Sequence, residues 1–151
     1  MRDNKNCMEV VFDSKSINEG FARVCVASFL VQLNPSLDEL NEIKAAVSEA
    51  VTNCVVHAYP KKKGKIRLKC EIDEGDIVIT VSDEGVGIRD IAKAREPFYT
   101  TKPNDERSGM GFSVIEAFMD EVDVQHNNSK GTIVIMRKKI ESERDYRIEN
   151  A

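Results

Sequence analysis

Three polar residues able to donate or accept hydrogen bonds follow one another at intervals of four: Glu49, Asn53 and His57. In an α-helix a step of four residues turns about 400°, so these side chains should form one ridge with neighbours about 6 Å apart. The ridge would lie beside an apolar stripe, at the edge of the buried face. An ordinary polar flank has the same pattern, and a histidine near a helix C-terminus interacts favourably with the helix dipole. The ridge alone therefore leaves both interpretations open.

A second pattern places Asp83 before two alternating glycines, Gly85 and Gly87, directly after an apolar strand pattern. Glycine lets the backbone approach a ligand where a Cβ would clash. An aspartate at the end of a strand can accept a hydrogen bond from the exocyclic amine of a base. The alternative is a common Asp-Gly turn. The segment lacks the third glycine and βαβ context of a Rossmann fingerprint, and the chain contains no G-K-[ST] of a Walker A loop.

Glycines also open a predicted helix further along the chain. N–H groups at a glycine-rich helix N-terminus are free to bind phosphate oxygens. Hydroxyls and positive charges suited to a triphosphate precede them. The residues concerned are Thr100, Thr101, Lys102, Arg107, Ser108, Gly109, Met110 and Gly111. A glycine-rich connector in a solvated charged loop is the alternative.

The helices that would position these residues can be predicted from apolar periodicity. Ser36 and Glu39 form a capping-box pattern at the start of the second helix. Pro35 and Pro60 mark the ends of the first two helices, because proline cannot continue a helix. The predicted helices cover residues 17–33, 36–59, 91–94 and 112–119.

Alternation of apolar and polar residues predicts the strands, including an antiparallel hairpin with one wet face and a turn at residues 74–76. The predicted strands cover residues 8–12, 66–72, 77–81, 122–124 and 132–136. Because no βαβ alternation occurs, we expect an α+β two-layer sandwich with helices on one face of a mostly antiparallel sheet. One domain should span residues 1–140, followed by a charged and frayed tail over residues 141–151.

Composition narrows the function classes. A hydrophobic fraction of 41% and a charged fraction of 32% are ordinary for a soluble domain. We expect a cytoplasmic protein, because no apolar run reaches the ~20 residues of a membrane span and no signal peptide is evident. The net charge of −4 argues against a nucleic-acid partner.

The four cysteines, Cys7, Cys25, Cys54 and Cys70, form no C-x-x-C pair. The last three lie in apolar patterns and should pack as small hydrophobes.

In chain order, the patterns E-x-x-x-N-x-x-x-H, D-x-G-x-G and G-x-G-F resemble the GHKL ATPases. These include the ATP domains of histidine kinases, the Hsp90 chaperone, MutL and DNA gyrase. The resemblance implies the Bergerat fold, with ATP or ADP and Mg²⁺ bound. It implies that Asn53 ligates magnesium, that Asp83 reads adenine and that Thr132 lies near the adenine pocket. Lys102 and Arg107 would approach the β- and γ-phosphates under a mobile lid.

Within that superfamily the chain resembles the stand-alone kinases of the anti-sigma F family of spore-forming bacteria, over roughly residues 12–138. The segments that carry this resemblance are residues 21–24, 47–53, 98–103 and 106–112. It implies a homodimeric serine kinase that binds a sporulation sigma factor and phosphorylates an anti-anti-sigma factor. Neither nucleic acid nor a membrane would be a direct partner. Glu49 would be the catalytic base, and Glu19 and Arg23 would contact the protein partners.

Other functions fit the sequence less well. The runner-up is a kinase that regulates a stress-response sigma factor, with the same enzymology and a different partner. A nucleotide-gated sigma-binding protein without kinase activity is disfavoured by Glu49, because loss of that carboxylate is the expected mark of a dead kinase. An ATPase module of a histidine kinase would need a phosphoacceptor domain, for which we expect no room.

Overall fold

The structure is a computed structural model that describes residues 4–60, 62–88, 91–95, 111–128 and 130–141. The helices are α1 (Asn18–Leu30), α2 (Leu37–Asn53), α3 (Ile91–Ala94) and α4 (Gly111–Phe118). The strands are β1 (Lys5–Asp13), β2 (Lys65–Asp73), β3 (Asp76–Asp83), β4 (Glu121–His126) and β5 (Thr132–Lys139). Each predicted element is present, with its ends shifted by a few residues. The predicted tail lies outside the described residues from position 142 onward.

The strands form one antiparallel sheet in the order β1-β2-β3-β5-β4, so β3 is its central strand. Alternate residues of β2 and β3 are buried, which confirms the predicted hairpin with one wet face. In β3 the buried series runs through Ile77, Ile79 and Val81 and ends on Asp83. The sheet therefore places a carboxylate where its pattern calls for an apolar side chain.

The helices cover the buried face of the sheet. Helix α2 contacts α1, α4 and β3. Its fully buried residues include Ile43, Val47 and Val51, and they join Leu68 and Ile79 in one hydrophobic core. Burying each such side chain contributes about 1.5–3 kcal/mol relative to leaving it exposed. The predicted two-layer α+β sandwich is confirmed.

The start of α2 has the predicted capping box. The Glu39 N–H donates to Ser36 Oγ over 3.0 Å, and the Ser36 N–H donates to Glu39 Oε1 over 2.9 Å. Each bond satisfies a backbone donor that a helix N-terminus would leave without a partner. The second carboxylate oxygen of Glu39 accepts the Glu141 N–H over 2.8 Å. The chain that leaves β5 is thereby attached to the beginning of α2.

The β2–β3 turn is shorter than predicted. Asp76 is not part of it, because Asp73 pairs with Asp76 and only Glu74 and Gly75 remain between the strands. Glu74 takes a positive φ of 61°, the left-handed conformation that two-residue hairpins commonly need to match the twist of the strands.

The cysteines are free. Cys54 and Cys70 are buried as predicted, whereas Cys25 is only half-buried. Within the described ranges, no three His, Cys, Asp or Glu residues cluster in a way that could hold a metal ion. In the same part of the chain, no helix is both long enough and apolar enough to cross a bilayer.

Candidate functional site

The candidate site is built around the carboxylate of Asp83 at the end of β3, which is only 5% exposed. Its Oδ1 accepts the Gly85 N–H over 2.9 Å and the Thr132 N–H over 3.2 Å. Its Oδ2 accepts the S–H of Cys54 over 3.4 Å. The three donors come from the loop after β3, the start of β5 and the residue that directly follows α2. Three separate parts of the fold therefore fix the rotation of one carboxylate.

Burial raises the pKa of Asp83 above its ordinary value, while the hydrogen bonds from Gly85, Cys54 and Thr132 act in the opposite direction. A folded-state pKa above that of the unfolded chain means that the folded state holds more protons. The contribution of Asp83 to folding stability therefore decreases as the pH rises from its unfolded pKa through its raised folded pKa. Above the raised folded pKa the ionised carboxylate costs folding free energy, as is common for groups placed for function.

Two glycines lie beside Asp83 at points where the surrounding backbone leaves no room for a Cβ. A Cβ at Gly85 would lie 2.1 Å from the carbonyl oxygen of Ala58. One at Gly131, where φ is +97°, would lie 2.0 Å from the carbonyl oxygen of Asp83. The side-chain amide of Asn127 also donates to that carbonyl oxygen, over 2.8 Å. The sequence left a turn and a ligand site as alternatives for the glycines after Asp83. In the structure three backbone segments come into close contact there: Ala58, the residues that follow Asp83, and Gly131.

Tyr59 connects the end of the helical layer to the sheet, a role that the sequence did not indicate. Its O–H donates to the carbonyl of Lys65 over 2.7 Å and accepts the N–H of Glu84 over 2.8 Å. Its ring fills the space beside Gly64, where a Cβ would lie 2.1 Å from a ring carbon. The loop that follows Asp83 is therefore held by the residue that follows the π turn as well as by the sheet.

The predicted polar ridge is only partly α-helical. Glu49 and Asn53 lie one turn apart on α2, and both are half-buried. Immediately after Asn53 the chain enters a π turn over Cys54–Ala58, which contains His57. The α-helical spacing expected between Asn53 and His57 is therefore wrong, because a π turn closes i→i+5 hydrogen bonds and is wider. Such turns are frequent at functional sites.

The first two sequence clusters meet in space. Cys54 follows Asn53 directly and reaches Asp83 with its thiol, so the end of α2 lies against the end of β3. Burial raises the pKa of the Cys54 thiol well above its ordinary value, and the Asp83 carboxylate raises it further. The Oε2 of Glu49 and the Nδ2 of Asn53 are both inaccessible to solvent. Among the described residues, that Nδ2 has no hydrogen-bond partner.

The third cluster is described only at its end. Gly111 begins α4, which packs against α2. The other members lie outside the described residues: Thr100, Thr101, Lys102, Arg107, Ser108, Gly109 and Met110.

Thr132 is buried, and its backbone N–H is one of the donors to Asp83. Gly87 has a φ of +77° and lies beside Gly131.

The predicted partner-binding pair lies on α1. The Nε of Arg23 is 3.7 Å from Oε1 of Glu19, one turn earlier. Phe21 and Val24 on the same helix are exposed, at 49% and 61%. Phe21 also makes an edge contact with Phe12, their ring centroids 6.1 Å apart. The helix thus presents charged and apolar side chains together at the surface.

Comparisons with known proteins agree with this architecture. Residues 15–138 match the family model described as a histidine kinase-like ATPase domain. The anti-sigma F factor of Clostridium novyi (strain NT) is 51% identical over 138 residues, which cover 91% of this chain and 96% of the relative. That of Oceanobacillus iheyensis is 55% identical over 137 residues, covering 90% and 94%. The resemblance and the fold class proposed from sequence are confirmed.

A solved structure supports the fold independently. The RsbU and RsbW domains of Rv1364c from Mycobacterium tuberculosis superpose with a TM-score of 0.64 at 18% identity. The match covers 89% of this chain and 32% of that one. At this identity the likeness concerns the fold alone.

Proposed function

Because this chain belongs to the anti-sigma F family and carries a histidine kinase-like ATPase domain, we propose that it is an ATP-dependent serine kinase and anti-sigma factor. It would bind and inhibit a sporulation sigma factor and phosphorylate a serine of the corresponding anti-anti-sigma factor. In this proposal it acts in the cytoplasm as a homodimer. The observation that carries the proposal is the buried Asp83 carboxylate, fixed by three donors beside backbone contacts that only glycine can make.

Asp83 is proposed to select adenine. A fixed carboxylate accepts a hydrogen bond from the exocyclic amine of adenine, whereas guanine presents a carbonyl oxygen at the equivalent position, which a carboxylate repels. The close backbone packing at Gly85 and Gly131 supports this role, because it holds the carboxylate rigid. Gly87, Thr132 and His57 are proposed to line the same nucleotide site.

Asn53 is proposed to ligate Mg²⁺ through its side-chain amide oxygen. The position of Asn53 fits this role, because its Nδ2 is inaccessible to solvent and makes no hydrogen bond to another described residue. Magnesium takes few protein ligands when phosphate oxygens and waters complete its octahedron, which agrees with the absence of an acidic cluster among the described residues. When bound, the ion neutralises charge on the phosphates.

The remaining nucleotide contacts are proposed from the sequence patterns alone. Lys102 and Arg107 would approach the β- and γ-phosphates, and hydroxyls and backbone N–H groups would bind other phosphate oxygens. The residues proposed for those contacts are Thr100, Thr101, Ser108, Gly109, Met110 and Gly111. The position of Gly111 at the start of α4 supports phosphate binding at that helix N-terminus.

Glu49 is proposed as the base that accepts the proton of the substrate serine. It lies one α-helical turn before Asn53, so a serine that approaches the magnesium-bound phosphate also approaches this carboxylate. Phosphoryl transfer passes through a loose transition state, so positioning matters more than high basicity.

Arg23 and Glu19 are proposed to contact the sigma factor and the anti-anti-sigma factor. The exposed apolar residues Phe21 and Val24 on the same helix support a protein partner, because interfaces combine apolar contacts with a polar and charged rim.

Replacing Asp83 by Asn tests the adenine assignment. Oδ1 accepts two N–H groups, so the oxygen of the new amide must take its place. The amide NH₂ group then stands where Oδ2 was. Two hydrogen-bond donors, this NH₂ group and the adenine amine, would face each other. We expect ATP affinity to fall at least tenfold, or about 1.4 kcal/mol. Calorimetric titration of Asp83→Asn with ATP measures this. Asp76→Asn, at the exposed opposite end of β3, is the control, and unchanged ATP affinity in Asp83→Asn would remove the residue from the adenine role.

Replacing Arg23 by Ala tests the docking surface. Arg23 is exposed and its partner Glu19 is half-buried, so loss of the pair should change folding stability by about 1 kcal/mol or less. We expect ATP affinity to stay constant while affinity for at least one protein partner falls about tenfold or more. Arg67→Ala is the matched control, because Arg67 also pairs with a glutamate, Glu9, but on the opposite face of the sheet. Equal partner affinities in the two variants would place the docking surface elsewhere.

A further inference from the structure

We propose that Cys54 is a positioning residue for base recognition: its S–H donates to Oδ2 of Asp83 and orients that carboxylate toward the exocyclic amine of adenine. The inference deepens the proposed function and depends on Asp83 being the residue that reads adenine. Neither the spacing of the polar ridge nor the glycine pattern assigns Cys54 a role, since the sequence indicates only a buried apolar position.

The geometry divides the carboxylate into two differently held oxygens. Oδ1 is bound by two backbone donors, the N–H groups of Gly85 and Thr132. Oδ2 has one described donor, the Cys54 thiol at 3.4 Å, a distance normal for a sulfur donor. A carboxylate oxygen can accept more than one hydrogen bond. Oδ2 is therefore the oxygen with capacity left for a base, and Cys54 is the side chain that fixes its direction.

The location of Cys54 makes this contact specific. It is the first residue of the π turn after α2, so its position depends on the local widening of the helix. The side chain is buried, and Ala58 at the other end of the same turn packs against Gly85. Sulfur is larger than a water oxygen and cannot exchange with solvent, so the thiol also keeps water away from one side of Oδ2. The thiol thus occupies one side of Oδ2 and leaves the remaining accepting capacity of that oxygen for another donor.

The test compares two nucleotides that differ only in the group Asp83 would read. ATP carries the exocyclic amine, and purine riboside triphosphate lacks it. If Cys54 acts through Oδ2, Cys54→Ala should weaken ATP binding about fivefold and change the affinity for purine riboside triphosphate by less than twofold. Cys54→Ser, which keeps a hydrogen-bond donor at this position, should bring ATP affinity back to within twofold of the unmodified protein. Calorimetric titration of each variant with each nucleotide provides all values.

The outcomes separate the possible failures. An equal loss for both nucleotides in Cys54→Ala would mean that the side chain only fills space, and unchanged ATP affinity would mean that the thiol orients nothing. A Cys54→Ser variant as weak as Cys54→Ala would exclude the hydrogen bond. Each of these results overturns the positioning role. If the unmodified protein bound ATP and purine riboside triphosphate equally, the adenine role of Asp83 would itself be wrong.

Discussion

Replacing Glu49 by Gln is expected to slow phosphoryl transfer to the serine at least a hundredfold while ATP affinity stays within about twofold. Gln has nearly the shape of Glu, so the half-buried position on α2 is filled without a cavity. What the substitution removes is the capacity to accept a proton. A positioned base contributes about 10²–10⁴-fold in rate. Because this contribution arises only as the serine proton leaves, the loss should appear in the rate rather than in nucleotide binding.

The measurement is single-turnover phosphorylation of the anti-anti-sigma factor, with ATP affinity determined by calorimetry on the same preparations. Glu42→Gln is the matched control, since it changes another glutamate of α2, one that is ion-paired with Lys138 over 3.2 Å. The control should keep its phosphorylation rate. A Glu49→Gln variant with the full rate would exclude Glu49 as the base, and one that no longer bound ATP would assign it to nucleotide binding.

Replacing Gly131 by Ala is expected to lower the free energy of unfolding by about 3 kcal/mol and to weaken ATP binding more than tenfold. The new Cβ would lie 2.0 Å from the carbonyl oxygen of Asp83 and 2.8 Å from Cα of Glu84. These are backbone atoms, so no side-chain rotation relieves the clash. A φ of +97° is also unfavourable for alanine, with a strain of about 1–3 kcal/mol before the clash is counted. Relief requires β5 to move away from the end of β3, and Thr132 would carry its N–H away from Asp83.

Urea unfolding and ATP calorimetry on the same variant check both parts of this expectation. Gly20→Ala is the control, because its Cβ would meet nothing closer than the flexible Arg23 side chain at 3.7 Å. Gly20 lies within α1, where alanine is favoured over glycine by up to about 1 kcal/mol. The control should therefore keep or gain stability. A Gly131→Ala variant as stable as the control would contradict the close packing of the two strand ends.

The sequence predicted the elements well because their signals are local. Apolar residues at helical spacing indicated α1 and α2, and the Ser36–Glu39 pattern marked the start of α2 correctly. Alternation indicated β2 and β3, and the glycines after Asp83 marked a place where a Cβ would clash. Each of these features depends on residues that are near one another in the chain. The interactions that form the helix, strand or turn can therefore be inferred from the local sequence pattern.

The rest of the site could not be predicted because it depends on contacts between distant segments. The π turn after Asn53 changes the hydrogen-bond register without changing the apolar pattern, so the α-helical spacing expected between Asn53 and His57 was wrong. The thiol of Cys54 and the hydroxyl of Tyr59 find their partners only when α2 lies against the sheet. Nothing in the sequence near Asn127 indicates that its amide binds the backbone of Asp83.

The three donors to the Asp83 carboxylate lie 2, 29 and 49 residues away in the chain. During folding, distant contacts form only after the entropy cost of closing the intervening loop has been met. The β2–β3 hairpin can therefore exist before the carboxylate has all of its donors, which requires β5 to join the sheet beside β3. A nucleotide whose binding needs the Asp83 carboxylate with all three of its donors binds the fully folded chain and not this earlier form. At a nucleotide concentration a hundredfold above Kd, that selectivity adds about 2.7 kcal/mol to stability, so nucleotide supply would also govern how much of the chain remains folded.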